Sequence, residues 1–95
     1  VTPVHWSRLS RQDLNSAVDR QVDANFDMAD ALLEEAAKAT VFLATSPRGG
    51  TPVGAQGRRK WRLGRLPYAL IYHVDSKRVL TLRVSHLRSD WQTLP

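Results

Sequence analysis

The feature that most constrains this chain is a break at Ser46-Pro47-Arg48-Gly49-Gly50, which separates a helix-patterned half from a strand-patterned half. Proline lacks a backbone donor and glycine loosens the backbone, so helix formation stops abruptly at such a run. Residues 46–57 hold four of the five glycines and two of the five prolines, which predicts a mobile loop. Before the break, Pro3-Val4-His5-Trp6 reads as a short extended start. Ser7 is then placed to cap a helix running to about Val22, with Leu14, Ala17, Val18 and Val22 at the three- and four-residue steps of one apolar stripe. Asn25-Phe26 interrupts that stripe. Asp27 is placed to cap a second helix, whose inner face reads Ala29, Leu32, Leu33, Ala36, Ala37, Thr40 and Leu43. A connector this short favours an antiparallel helical hairpin.

After the break the period changes. Arg59-Lys60-Trp61-Arg62-Leu63 alternates loosely, and Gly64 to Pro67 forms a turn. Tyr68 to Val74 and Val79 to His86 are rich in β-branched and aromatic residues, with Asp75-Ser76-Lys77-Arg78 as the hairpin between them. The order strand, helix, helix, strand, strand, strand predicts an α+β fold: an N-terminal helical hairpin packed on a small twisted antiparallel sheet. With 95 residues, the chain from 1 to 95 is expected to be one domain. Hydrophobic residues at 42% and charged residues at 24% are ordinary globular proportions, which argues against disorder.

Several function classes fall away. The absence of cysteine removes disulfides, thiolate metal sites and cysteine nucleophiles. Neither a phosphate-binding Gly-Lys-Ser/Thr loop nor a dinucleotide fingerprint is present, and His5, His73 and His86 lack metal-ligand spacing, so neither cofactor nor metal is expected. No apolar run approaches the roughly 20 residues of a membrane span, and the N-terminus lacks a signal-peptide core. A soluble, cytoplasmic protein without membrane partners is the expectation.

Charge is more informative. Residues 1–47 carry four basic and seven acidic groups, whereas residues 48–95 carry ten basic groups against Asp75 and Asp90 alone. A half-chain at +8 points to an acidic partner, nucleic acid or protein, or else to a solvated face that keeps the protein soluble. The cations concentrate at Arg58, Arg59, Lys60 and Arg62, with Trp61 among them, and again at Arg83, His86, Arg88 and Trp91. Strand alternation over Val79–His86 groups Leu80, Leu82, Val84 and His86 on one face, which its three aliphatic residues identify as the core side. Arg83 is left on the open side, and His86, at the strand end where alternation often fails, is assigned to neither. There, Arg83 could bind a phosphate bidentately, or pair with Asp90 or a helix carboxylate. His86 could serve as general acid or base in RNA cleavage, or hydrogen-bond the backbone at the strand end. Trp91 and Trp61 could stack on bases or pack over a small core.

The ordered set Gly57-Arg58-Arg59, Pro67-Tyr68-Ala69-Leu70-Ile71-Tyr72-His73-Val74 and Leu82-Arg83-Val84-Ser85-His86-Leu87-Arg88-Ser89-Asp90-Trp91 resembles the RelE/ParE superfamily of toxins from bacterial type II toxin–antitoxin modules. Trp6-Ser7, Asp13-Leu14 and Pro47-Arg48-Gly49-Gly50 fit the same pattern, so the resemblance covers nearly the whole chain. It implies two helices against a twisted antiparallel sheet, and a cognate antitoxin that wraps and neutralises the toxin. Two targets are implied by its branches. ParE-like members inhibit DNA gyrase without hydrolysis, whereas RelE-like members cut mRNA on the ribosome. For a nuclease, the resemblance assigns Arg59 and Arg83 to phosphate binding and His86 to proton transfer. For either branch, it offers Arg58, Arg59, Lys60, Arg62, Arg83, Arg88 and Trp91 as target contacts. No tyrosine follows Tyr72, where several nucleases carry a catalytic one, and of the lysines only Lys60 lies in the basic cluster. The ParE-like reading is therefore favoured; a ribosome-dependent endonuclease is the second, and a plain nucleic-acid-binding module the third.

Overall fold

The computed structural model of the protein describes residues 1–22, 24–54 and 56–88. In chain order it comprises β1 (Val4–Trp6), α1 (Arg8–Val22), α2 (Phe26–Thr45), β2 (Thr51–Pro52), β3 (Arg58–Arg62), β4 (Tyr68–Val74) and β5 (Val79–His86). The strands form one five-stranded sheet in the order β1-β5-β4-β3-β2. The α+β architecture and the hairpin of helices follow the sequence reading, with two differences in the sheet. It is mixed, because β1 runs parallel to β5, with Val4 opposite Val79 and Trp6 opposite Thr81. The short β2 pairs antiparallel with β3 and was concealed in the glycine- and proline-rich loop.

Helix α1 begins as expected: the Ser7 hydroxyl accepts the Ser10 backbone N–H at 3.1 Å. Helix α2 starts two residues earlier than the cap expected at Asp27. Asn25 is the cap, accepting from the Met28 N–H at 3.2 Å, and Asp27 lies in the first turn, where its charge favours the positive helix end. Its buried stripe is Ala29, Leu32, Ala36, Ala39 and Leu43. Leu33 and Ala37, expected inside, are exposed because the stripe is narrower than the sequence implied. The core joins Ala17 of α1 and Leu32, Ala39 and Leu43 of α2 to Tyr68, Leu70 and Tyr72 of β4 and Val79 and Val84 of β5. Full burial of each leucine there stabilises the fold by about 1.5–3 kcal/mol.

β5 departs from simple alternation. Thr81 faces Tyr72 and Arg83 faces Ile71, so Leu82 is an extra residue without a cross-strand partner. Before this bulge Val79 and Thr81 point into the core, each at 0% exposure; after it Val84 does. The expectation that Leu80, Leu82 and Val84 share the inner face is therefore corrected at Leu80 and Leu82, which are only half-buried. The inward Thr81 hydroxyl lies 2.6 Å from the buried Ser10 hydroxyl, and Ser7 donates to the carbonyl of Leu82. These hydroxyls tie the start of α1 to the bulge.

Candidate functional site

The expected basic cluster divides between the two faces of the sheet. On β3, Arg59 and Trp61 stand opposite Tyr72 and Leu70, both core residues on the helix side. Alternation then places Arg58, Lys60 and Arg62, opposite His73, Ile71 and Ala69, on the other face. Adjacent positions in sequence thus have unrelated surroundings.

Arg59 is engaged internally. Its Nη1 donates to the carbonyl of Gly50 at 2.7 Å and to that of Arg48 at 3.0 Å, fastening the loop after α2 to β3. Beside it the Tyr72 hydroxyl accepts the buried Gly50 N–H at 2.8 Å. Burial pushes the Tyr72 phenol above its ordinary value of 10.0, with the Gly50 N–H and the Arg59 charge acting in the opposite direction. Trp61 stacks on Phe42 of α2 with ring centroids 4.4 Å apart. It is a packing residue along that face, and the pair lines a groove of about 480 Å³ together with Glu35, Lys38, Gly49, Thr51, Lys60, Arg62 and Gly64.

Arg83 does not stand open. Its Nε and Nη2 donate to the two carboxylate oxygens of Asp13 in α1 at 2.7 and 2.9 Å, a bidentate pair whose side chains are each 17% exposed. Asp13 Oδ2 also accepts the Val84 N–H at 3.0 Å. The helix-carboxylate alternative of the sequence reading is observed, whereas Asp90 lies outside the described residues; hydrogen bonding to Asp13 holds the guanidinium pKa above its usual value.

His86 packs edge-on against Tyr68 with centroids 5.2 Å apart, and its Nδ1 accepts the Arg88 N–H at 3.1 Å. That bond places the proton of the neutral ring on Nε2. The strand-end backbone contact expected of it is present. The Arg88 side chain is exposed, and Trp91 lies outside the described residues. Among the described residues no group of three or more His, Cys, Asp or Glu could hold a metal ion, and no helix is long and apolar enough to cross a membrane.

Two functional neighbours were missed as such by sequence reasoning. Asp13, 70 residues from Arg83, carries no local sign of its partner. Phe42 lies outside the expected apolar stripe, and only its pairing with Trp61 explains why a helix would expose an aromatic on that flank.

Residues 4–91 match the family described as the ParE toxin of the type II toxin–antitoxin system parDE. Among solved structures, a chain of the chromosomal ParDE toxin–antitoxin system of P. aeruginosa superposes with a TM-score of 0.77 at 22% identity, covering 90% of this chain and 95% of that one. That likeness is one of fold. A chain of the RelBE2 toxin–antitoxin complex of Mycobacterium tuberculosis superposes with a TM-score of 0.59 at 25% identity, covering 90% of this chain and 96% of that one. No curated protein sequence matches. With its fold and nearly its full length accounted for, the chain belongs to the ParE family of toxins of type II toxin–antitoxin systems.

Proposed function

We propose that this toxin arrests growth by binding and inhibiting DNA gyrase, without hydrolysing nucleic acid, and that a cognate antitoxin neutralises it. The observation that carries the reading is the fate of the residues a nuclease would use. Arg83 is committed to Asp13, Arg59 to the carbonyls of Arg48 and Gly50, and the His86 Nδ1 to the Arg88 backbone. Stabilising charge on a scissile phosphate calls for preorganised donors aimed at the reacting atoms. Arg59 and Arg83 instead direct their donors into the fold. Membership of the ParE family supports the same branch.

Antitoxin binding is supported by the solved relatives, both of which come from toxin–antitoxin systems. Exposed Leu33 and Val41 on α2 and the groove beside Phe42 and Trp61 offer apolar purchase for such a segment. Charge from the basic half favours an acidic one.

The test is a gyrase supercoiling assay with antitoxin-free protein, read for both loss of supercoiling and linear DNA. Inhibition with trapped cleavage is expected. Absence of any effect at large molar excess, from a preparation that arrests growth when expressed, would refute the reading. Ribosome-bound mRNA would then be the substrate to examine.

A further inference from the structure

We propose that Arg58, Lys60 and Arg62 on β3 form a track for the phosphate backbone of duplex DNA, a contact that rests on the gyrase reading and would engage the DNA gyrase holds. The register gives the geometry. The three side chains occupy alternate positions of one strand, on the face opposite the helices. At about 3.4 Å per residue, neighbours in the row are separated by about 7 Å and the row spans about 14 Å. That separation is comparable with the distance between adjacent phosphates on one nucleic-acid strand.

Arg58 and Lys60 are half-buried, and Arg62 is exposed. Among the described residues no hydrogen bond or ion pair engages the side chains of Arg58 or Lys60. Arg62, unlike the half-buried Arg59, is exposed; its Nε donates to the Leu66 carbonyl and its Nη2 to the Arg65 carbonyl, both at 3.0 Å, neutral acceptors that leave its charge without an ion pair among the described residues. The carboxylates that could compete are occupied elsewhere: Asp13 by Arg83, Glu34 and Glu35 by Lys38, and Asp75 by the backbone N–H groups of Lys77 and Arg78.

The chemistry of the face selects the partner. Its cross-strand neighbours Ala69 and Ile71 are each only 1% exposed, and His73 stands beside Arg58, so the row offers charge and no apolar anchor. A protein partner gains most of its affinity from buried aromatic or aliphatic anchors. Here the nearby aromatics, Phe42 and Trp61, are stacked on each other in the groove that Lys60 and Arg62 border. A polyanionic backbone needs no anchor, because release of its condensed counterions supplies the binding free energy. Arg59 takes no part in the track.

Fluorescence anisotropy of a labelled DNA duplex, titrated with antitoxin-free toxin across a salt series, tests this without gyrase. Three phosphate contacts contribute about −2.7 to the slope of log affinity against log salt, or about a 40-fold loss between 50 and 200 mM. Replacing the row by glutamine (Arg58→Gln, Lys60→Gln, Arg62→Gln) keeps much of each stem and is expected to remove about that slope. Lys60→Gln alone, at a side chain with no bond to lose, is expected to remove about 0.9. The control is Arg8→Gln, Arg11→Gln, Arg20→Gln on α1, the same change in charge at exposed sites, which should leave most of the slope in place. An equal loss in both triple variants, no duplex binding by the unaltered chain, or displacement of duplex by poly-glutamate at matched charge would each overturn the track, the last in favour of an acidic protein. Gyrase inhibition without row-dependent duplex binding refutes the track alone. Row-dependent binding without gyrase inhibition refutes the gyrase reading and leaves the track standing.

Discussion

Replacing Asp13 by alanine removes three hydrogen bonds at once: two from the Arg83 guanidinium and one from the Val84 N–H. A hydrogen bond to a charged group is worth about 1.5–3 kcal/mol net, and stripping one partner from a fully buried pair costs about 3–5 kcal/mol. With both side chains still 17% exposed, water recovers part of that loss, so a cost of about 2–3 kcal/mol is expected for Asp13→Ala. In a domain of this size that corresponds to a fall in Tm of roughly 10–20 °C. The assay is thermal and urea unfolding of the single variants Asp13→Ala and Arg83→Ala and of the double variant. Their cycle should give a coupling of about 1.5–2.5 kcal/mol, above the 0.2–1 kcal/mol of exposed pairs. A coupling below about 0.5 kcal/mol would refute the claim that Arg83 is committed to the fold, and would return it to the list of groups free to bind phosphate.

Gly50→Ala should be severely destabilising, because a Cβ there would lie 2.5 Å from the Tyr72 hydroxyl and 2.7 Å from the Lys60 carbonyl, which is backbone and cannot swing aside; urea unfolding measures it. Tyr72→Phe leaves the buried Gly50 N–H without its acceptor, at a cost of about 1–3 kcal/mol. The same variant changes the pH response. The folded phenol has a pKa raised above 10.0, so its stabilising contribution is complete below that pH and is lost as pH rises through the folded value. The unfolding free energy measured from pH 9 to 12 should therefore fall more steeply for the unaltered chain than for Tyr72→Phe. Ser10→Ala, which deletes the buried hydroxyl contacting Thr81 and the Ser7 carbonyl, should cost about 1–2 kcal/mol in denaturant unfolding.

Local signals carried most of the fold. The limits of β4 and β5 follow from runs of β-branched and aromatic residues between turn residues, and the two helices from their apolar stripes. What failed was non-local. Parallel pairing of β1 with β5 joins Val4 to Val79 and leaves no trace in either segment. The bulge at Leu82 is written in no single residue, yet it reverses which side chains of Val79–Thr81 face inward. At the site, the clustering of cations was legible, whereas their sorting was not. Alternation along β3 separates Arg59 from its neighbours only once the inner face is known from Tyr72 and Leu70, and Arg83 is claimed by a carboxylate from the other half of the chain. The charge asymmetry between the halves thus has two consequences: it pairs Asp13 with Arg83 inside the fold, and it leaves Arg58 and Lys60 without an ion pair among the described residues.

The central claim is that the toxin acts without an acid/base pair. It is tested most directly by inducible expression of His86→Ala in cells lacking the antitoxin, with soluble yield and far-UV circular dichroism matched to the unaltered chain. Growth arrest equal to that of the unaltered toxin is expected, because the account gives the His86 ring only a packing contact with Tyr68 and a backbone bond to Arg88. Removing a general acid or base typically costs 10²–10⁴-fold in rate, so a folded His86→Ala chain that no longer arrests growth would contradict the account and place His86 at the centre of a nuclease.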